Sequence, residues 1–205
     1  MVLRGANVGV SLRLSSVPAG AGSSKGALTF PDDPYLSPLH ATFFYRESQL
    51  YVRDEGGLSG TFVRIRGSEM LPSGSHFSVG SRLVRFTGPL APPASTSPLP
   101  YGAPITSGSL YTLEQVYEGA RLGRACTRPG PVLSVGRAGC DLNFPTDAHV
   151  QSRHCEVAVD PTGALLKDLG SPEGTFIRLS VGAERALVPG DVVRIGLQML
   201  RVESG

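Results

Sequence analysis

Residues 174–178 read Gly-Thr-Phe-Ile-Arg, and residues 60–64 read Gly-Thr-Phe-Val-Arg, 114 positions earlier. The same interval separates His40-Ala41 from His154-Cys155, and Phe30-Pro31-Asp32-Asp33 from Phe144-Pro145-Thr146-Asp147. Further along, the interval grows to 116, as in Leu71, Gly74 and Gly80 against Leu187, Gly190 and Gly196. Because self-similarity at a fixed period marks repeated structural units, the sequence predicts a tandem duplication of one domain. The second copy contains two extra residues.

The repeat also predicts the domain boundaries, with one copy in residues 1–87 and the other in 110–205. Between them, residues 88–109 read GPLAPPASTSPLPYGAPITSGS, without a single charge. Such Pro- and Ser-rich composition is typical of an extended linker. The second copy has a clear first strand at 111–117. Residues 2–14 supply its counterpart only imperfectly, or the chain is a fragment of a longer protein.

Short alternating segments predict β-strands throughout both copies. Residues 48–53 and 155–159 alternate apolar and polar side chains, and residues 192–202 have the pattern of a terminal hairpin. Many short strands with turn signals every ~8–12 residues are typical of an antiparallel β-sandwich. We therefore expect an all-β chain of two antiparallel β-sandwich domains joined by a Pro-rich linker.

Composition excludes several classes of protein. The 205 residues include 26 Gly and 17 Pro but only 18% charged residues, which rules out a long coiled coil. No apolar run approaches the ~18 residues of a membrane span. A net charge of +2 gives no reason to expect nucleic acid as a partner. Three cysteines without a Cys-x-x-Cys pair argue against a disulfide framework and favour the cytoplasm.

The second copy carries Gly136-Arg137, then Ser152-Arg153-His154, then Glu173-Gly174-Thr175. In order and spacing this resembles the forkhead-associated (FHA) domain, and the resemblance extends to residues 22–86 of the first copy. It implies an FHA/SMAD-like β-sandwich whose loops recognise phosphothreonine. In that family an arginine and a serine bind the phosphate, a histidine links the binding loops, and an asparagine binds the peptide backbone next to the phosphothreonine. Hydrogen bonds to a charged group contribute ~1.5–3 kcal/mol each, and arginine offers a planar fork of donors.

The second copy departs from the family pattern at two positions. Gln151 stands where the family has its serine, with Ser152 one place later, and Glu173 replaces the asparagine. A carboxylate at that position repels a bound phosphate. The resemblance implies a phosphopeptide-binding set in this copy of Arg137, His149, Gln151, Ser152, Arg153, Ser171 and Glu173.

The first copy departs at the arginine itself. Ser23 occupies that position, and the nearby Lys25 offers a point charge instead of a fork. The resulting weaker set is Ser23, Lys25, Ser37 and Ser59. In both copies the resemblance implies a loop-supporting set of His40, Gly60, Thr61, Gly136, His154, Gly174 and Thr175.

Patterns for catalysis or metal binding are weak. Residues 22–26 match Gly-x-Ser-x-Gly, but no helix follows, as a nucleophile elbow requires. Cys140, His149, His154 and Cys155 fit no standard zinc-ligand spacing, and Cys155 is expected to be a small core residue. We therefore expect neither metal nor cofactor, and no enzyme activity.

The resulting hypothesis is a non-enzymatic, cytoplasmic, bacterial adaptor in Ser/Thr-kinase signalling. Its second copy binds a protein phosphorylated on threonine, either a kinase or a kinase substrate. The alternative is a phosphate-independent scaffold whose loops are relics of a binding site. The oligomeric state stays open.

Overall fold

The computed structural model describes residues 1–5, 8–14, 17–91, 108–160 and 162–204. Within these ranges the chain forms nineteen strands and one 3-10 helix, Glu118–Ala120. The strands are β1 Val2–Arg4, β2 Ala19–Gly22, β3 Leu28–Thr29, β4 Ala41–Arg46, β5 Gln49–Asp54, β6 Thr61–Arg64, β7 Ser68–Met70, β8 His76–Val79, β9 Arg82–Leu90, β10 Leu110–Val116, β11 Leu122–Arg128, β12 Val132–Gly136, β13 Leu142–Asn143, β14 Cys155–Asp160, β15 Gly163–Asp168, β16 Thr175–Arg178, β17 Glu184–Leu187, β18 Val192–Ile195 and β19 Gln198–Arg201. Most of the predicted linker, 92–107, lies outside the described residues, and its first residues belong to β9.

The strands group into two compact units. Unit 1 combines Met1–Arg64 with Phe176–Gly205, whereas unit 2 is the continuous segment Ile65–Thr175. The units and the sequence copies therefore have different boundaries. The boundaries at residues 87 and 110 stay a prediction about the repeats.

Unit 1 contains two sheets. One has the strand order β17-β5-β4-β2-β3, in which only β2 and β3 run parallel, and the other has the order β1-β19-β18-β6-β16. One hydrophobic cluster draws side chains from both sheets, including Phe43, Val52, Val193 and Ile195. The first strand that the sequence left unclear is β1, which pairs with β19.

Unit 2 repeats this arrangement with the sheets β13-β12-β14-β15-β7 and β8-β9-β10-β11. Its buried side chains again come from both sheets, among them Phe77, Leu113, Leu133 and Leu166. The expected all-β class and the two antiparallel sandwiches are thus confirmed. Across the described ranges, no helix has the length and apolar character needed to span a bilayer.

Each unit is completed by strands of the other sequence copy. In unit 1, β17 of the second copy pairs with β5 of the first, with Glu184 opposite Arg53. In unit 2, β7 of the first copy pairs with β15 of the second, with Ser68 opposite Lys167. These two pairings involve corresponding positions, so the exchange of strands is reciprocal.

A buried aspartate fixes the exchanged segment in each unit. Asp33 accepts a hydrogen bond from Leu197 N at 2.8 Å, and its counterpart Asp147 accepts one from Ser81 N at 3.2 Å. The residue before each donor is a glycine with left-handed φ, and a side chain at Gly196 would begin 2.7 Å from Asp33 Oδ2. Only glycine accommodates both that φ and that approach.

The loops of the predicted site are not exchanged. The exchange begins after Arg64 in the first copy and after Thr175 in the second, so the three site loops of each copy, which end at Thr61 and Thr175, stay within one unit. Phe62 and Phe176, which follow these threonines, are buried in unit 1. Their ring centroids lie 4.5 and 4.9 Å from the guanidinium carbon of Arg194. Burial, with the charge of Arg4, lowers the pKa of Arg194 to about 10.

Candidate functional site

Two loops of unit 2 are joined through their backbones. Arg137 N donates to Gln151 O at 2.8 Å, and Ala138 N donates to Ser152 O at 3.4 Å. The loops approach so closely that a side chain at Gly136 would begin 2.2 Å from Ser152 O. The glycine that precedes Arg137 is therefore a steric requirement of the loop pair.

His154 joins the third loop to these two. Its buried ring accepts a hydrogen bond at Nδ1 from Gln151 N at 3.3 Å, and its Nε2 lies 3.3 Å from Gly174 O. Burial lowers the pKa of His154, so the neutral ring predominates at pH 7. Since Nδ1 accepts, Nε2 carries the proton and donates to the carbonyl. The ring thus supports the loops from beneath.

Asp168 organises the third loop, although it is not among the predicted site residues. Its carboxylate accepts hydrogen bonds from Gly170 N, from Ser171 N and Oγ, and from Thr175 Oγ1 at 2.6 Å. Burial opposes ionisation, but these hydrogen bonds outweigh it and lower the pKa of Asp168. The Ser171 hydroxyl points inward at this carboxylate and is 3% exposed. A signal was available in the sequence, because Asp54 recurs 114 residues later as Asp168.

The remaining predicted side chains of unit 2 gather at the loop tips. Those exposed to solvent are Arg137, His149, Gln151, Ser152 and Arg153. Among the described residues, the Arg137 guanidinium has no ion-pair or hydrogen-bond partner. Glu173 instead lies 3.5 Å from His149 Nδ1, and Arg153 lies 3.7 Å from Glu156. The arginine fork of unit 2 is therefore available to an anion.

The exchanged segment supports this site. Asp147 accepts hydrogen bonds from His149 N at 3.0 Å and from Arg82 Nε at 3.0 Å, in addition to those from Ser81. Burial raises the pKa of Asp147, but these bonds and the charge of Arg82 produce a net lowering. The loop that presents His149 is thus anchored by a residue from the first sequence copy. Sequence reasoning missed this contribution because it placed Arg82 in the other domain.

Unit 1 repeats the loop framework. Ser23 N donates to Ser37 O at 2.9 Å, and Lys25 N donates to Pro38 O at 2.8 Å. Buried His40 accepts from Ser37 N at 3.3 Å, and its Nε2 lies 3.1 Å from Gly60 O. The third loop is again centred on an aspartate, because Asp54 accepts from Thr61 N at 2.7 Å.

The side chains on this framework differ from those of unit 2. Ser23, Ser37 and Ser59 are half-buried, and the Ser59 hydroxyl donates to Tyr35 O at 2.8 Å. Lys25 is exposed and is the cation of the predicted set. Unit 1 therefore preserves the loop geometry without a fixed guanidinium.

The cysteines do not form a metal site within the described part of the chain, where no three His, Cys, Asp or Glu side chains converge. Cys155 is buried in β14, and burial raises the pKa of its thiol well above the usual range. Such a thiol stays protonated and unreactive near neutral pH.

Comparison with known proteins identifies FHA domains at both copies. The sequence model described as "FHA domain" matches residues 21–80 and 133–196. The oxoglutarate dehydrogenase inhibitor of Corynebacterium efficiens is 36% identical over 94 residues, which are 44% of this chain and 66% of that protein. The glycogen accumulation regulator GarA of Mycobacterium tuberculosis is 35% identical over 92 residues, which are 43% of this chain and 57% of that protein. This chain thus spans less than two thirds of each relative.

One solved structure bears the description "Structural and functional analysis of phosphothreonine-dependent FHA domain interactions". It is 32% identical to this chain and covers 40% of it, together with 86% of its own length, with a TM-score of 0.26.

Proposed function

Because the chain belongs to the FHA domain family, we propose that it is a phosphothreonine-binding adaptor that acts mainly through unit 2. Its partner is a protein phosphorylated by a Ser/Thr kinase, or the kinase itself, in a bacterial cytoplasm. The chain itself performs no catalysis, in keeping with its relatives, whose names describe an inhibitor and a regulator.

The observation that carries this proposal is the exposed guanidinium of Arg137. The loop that bears it is fixed by backbone hydrogen bonds to the loop of Gln151 and Ser152. A cation held in this way needs little reordering when it binds an anion, which favours affinity. A phosphate that reaches the loop tips meets Arg137, Ser152 and Arg153, which together offer charged and hydroxyl donors.

Glu173 weakens the same site. Its carboxylate lies beside His149 at the position where the family has an asparagine, so it repels a phosphate dianion. We expect modest affinity in the wild type and higher affinity in Glu173→Asn, because the amide removes one negative charge and adds two donors.

The test is a fluorescence-anisotropy titration of the full chain with matched peptide pools centred on phosphothreonine or on threonine. We expect the phosphorylated pool to bind more tightly. Arg137→Ala should weaken it by at least about 100-fold, since two charge-assisted hydrogen bonds contribute ~3 kcal/mol or more. Arg137→Lys should fall between the two, because lysine keeps the charge and loses the fork.

The control is Arg46→Ala, which removes one exposed positive charge from unit 1. Its phosphopeptide affinity should equal that of the wild type. Equal binding of both peptide pools, or no loss in Arg137→Ala, would overturn the proposal and favour the phosphate-independent scaffold.

A further inference from the structure

Four exposed apolar side chains surround the site loops of unit 1. Leu58 is 84% exposed, Val181 76%, Tyr35 56% and Leu197 53%. We call these four residues the apolar rim. Large apolar side chains that cluster in one place on the surface often mark an interaction site.

Contacts of the loops bring the members of the apolar rim together. Tyr35 N and Leu197 N donate to the two oxygens of one carboxylate, Asp33, at 3.0 and 2.8 Å. The Ser59 hydroxyl donates to Tyr35 O, which holds the loop of Leu58 against that of Tyr35. On the other side of that loop, Val181 Cγ1 lies 3.3 Å from where a side chain at Gly56 would begin.

Unit 2 provides an internal comparison, because its loops have the same framework. Tyr35 corresponds to His149, Leu58 to Pro172 and Leu197 to Ser81. Val181 lies between Arg178 and Leu187, the stretch in which the repeat interval changes from 114 to 116, so it has no fixed counterpart in unit 2. At two of these positions unit 2 is polar, with His149 and Ser81, and at the third it has Pro172, so these loops carry more exposed apolar surface in unit 1.

The two units also differ in the charge that their site loops carry. Where unit 2 has Arg137, unit 1 has Ser23, whose backbone still makes the same bond to the neighbouring loop. A phosphate dianion placed there loses its water without gaining a fixed cation, which is unfavourable. An uncharged segment incurs no such desolvation penalty, and its binding is favoured because it removes apolar side chains from water.

We propose that the apolar rim of unit 1 docks an extended, unphosphorylated peptide segment with aliphatic or aromatic side chains. The docking surface is continuous with the loops that the family uses for peptides, and the His40 framework keeps those loops preorganised. This recognition is independent of phosphate binding at unit 2. One chain therefore binds two chemically different peptide segments, a phosphorylated segment at unit 2 and an apolar segment at unit 1.

The test uses a variant that places the corresponding unit 2 residue at two positions of the apolar rim, Tyr35→His with Leu197→Ser. We call it the rim variant. Both positions are exposed, so the fold should persist, and circular dichroism checks this. The control makes the same chemical changes in unit 2, Tyr117→His with Leu122→Ser, at side chains that are 48% and 52% exposed. The probes are unphosphorylated, Thr-centred ten-residue pools flanked either by Leu, Ile and Phe or by Ser and Asp.

We expect the apolar pool to bind the full-length wild type saturably, and the Ser/Asp pool to bind at least tenfold more weakly. The rim variant should lose at least tenfold in affinity for the apolar pool, whereas the control variant and Arg137→Ala should retain it. Three outcomes overturn the proposal: no saturable binding, equal binding by the rim variant, or tighter binding to unit 1 after phosphorylation. Concentration-dependent dimerisation that the rim variant abolishes also overturns it, because the occupant is then a second copy of this chain.

Discussion

The reciprocal exchange of strands makes a prediction that cysteine cross-linking can test. In unit 2, Ser68 lies opposite Lys167, and the adjacent Asp168 N donates to Gly67 O at 2.7 Å. Ser68 and Lys167 are therefore a non-hydrogen-bonded antiparallel pair, whose Cα atoms lie ~4.5 Å apart. That separation is compatible with a disulfide, and both residues are exposed. Ser68→Cys with Lys167→Cys should oxidise readily.

The size of the effect follows from the length of chain that is closed. The bond from residue 68 to residue 167 closes 100 residues. Chain entropy gives ~4.7 kcal/mol for a loop of that length, and engineered disulfides usually deliver ~2–4 kcal/mol. For a domain of ~100 residues, this corresponds to a rise in Tm on the order of 10–20 °C. Reduction should reverse the rise.

A second pair reports the alternative topology. In unit 1, Arg53 pairs with Glu184, which is the counterpart of Ser68 in the second copy. If each copy folded on itself, Arg53 would therefore pair with Ser68 of its own copy. Both pairs are compared by non-reducing electrophoresis and calorimetry, with size-exclusion chromatography to isolate monomer. Cys126 and Cys140 are replaced by serine, whereas buried Cys155 is kept. Cross-linking of the Arg53 pair but not of the Lys167 pair would refute the exchange.

Two further predictions concern the loops of unit 2. The folded-state pKa of Asp168 is lowered, so its contribution to stability is present above the ordinary Asp pKa of ~3.9 and is lost as pH falls toward the folded value. Urea midpoints measured from pH 6 to pH 3 should therefore fall less steeply in Asp168→Asn, and an unchanged slope would contradict this. Gly136→Ala should destabilise unit 2 by more than ~1 kcal/mol, because its Cβ would meet Ser152 O at 2.2 Å. Gly139→Ala, whose Cβ meets nothing within 4 Å, should cost only the ~1 kcal/mol of its left-handed backbone, and equal losses would contradict the steric argument.

The sequence predicted the duplication, the β-sandwich class and several of the strands, because these depend on local alternation and on turn residues. The terminal hairpin of β18 and β19 is an example, with Val192–Ile195 antiparallel to Gln198–Arg201. The histidine links between loops were predictable from the family resemblance, and both histidines lie between the loops that the resemblance implies.

The exchange was not predictable, for a reason that lies in the duplication itself. The two copies present the same residue types at the contacts that hold the exchanged segment, such as Asp33 and Asp147. A pattern of residues therefore favours pairing within a copy and between copies equally. The inward orientation of the Ser171 side chain was also not predictable, since it depends on the distance between its hydroxyl and Asp168 in the folded loop.

The continuity of unit 2 has a consequence for the order in which the chain acquires its structure during synthesis. The nine strands from β7 to β15 lie between Ile65 and Thr175, and Ile65 N bonds to Thr175 O at 3.0 Å, so these strands have all been synthesised once residue 175 has been added. The first 64 residues must wait for the last 30 (176 to 205) before their sheets are whole. At ~5–20 residues per second, translating the intervening segment takes on the order of 5–20 s. Throughout that interval the early strands expose open edges, and the nearest segments able to cover them are β7 to β9 of their own copy. We therefore expect slower translation to favour pairing within the first copy over the exchange.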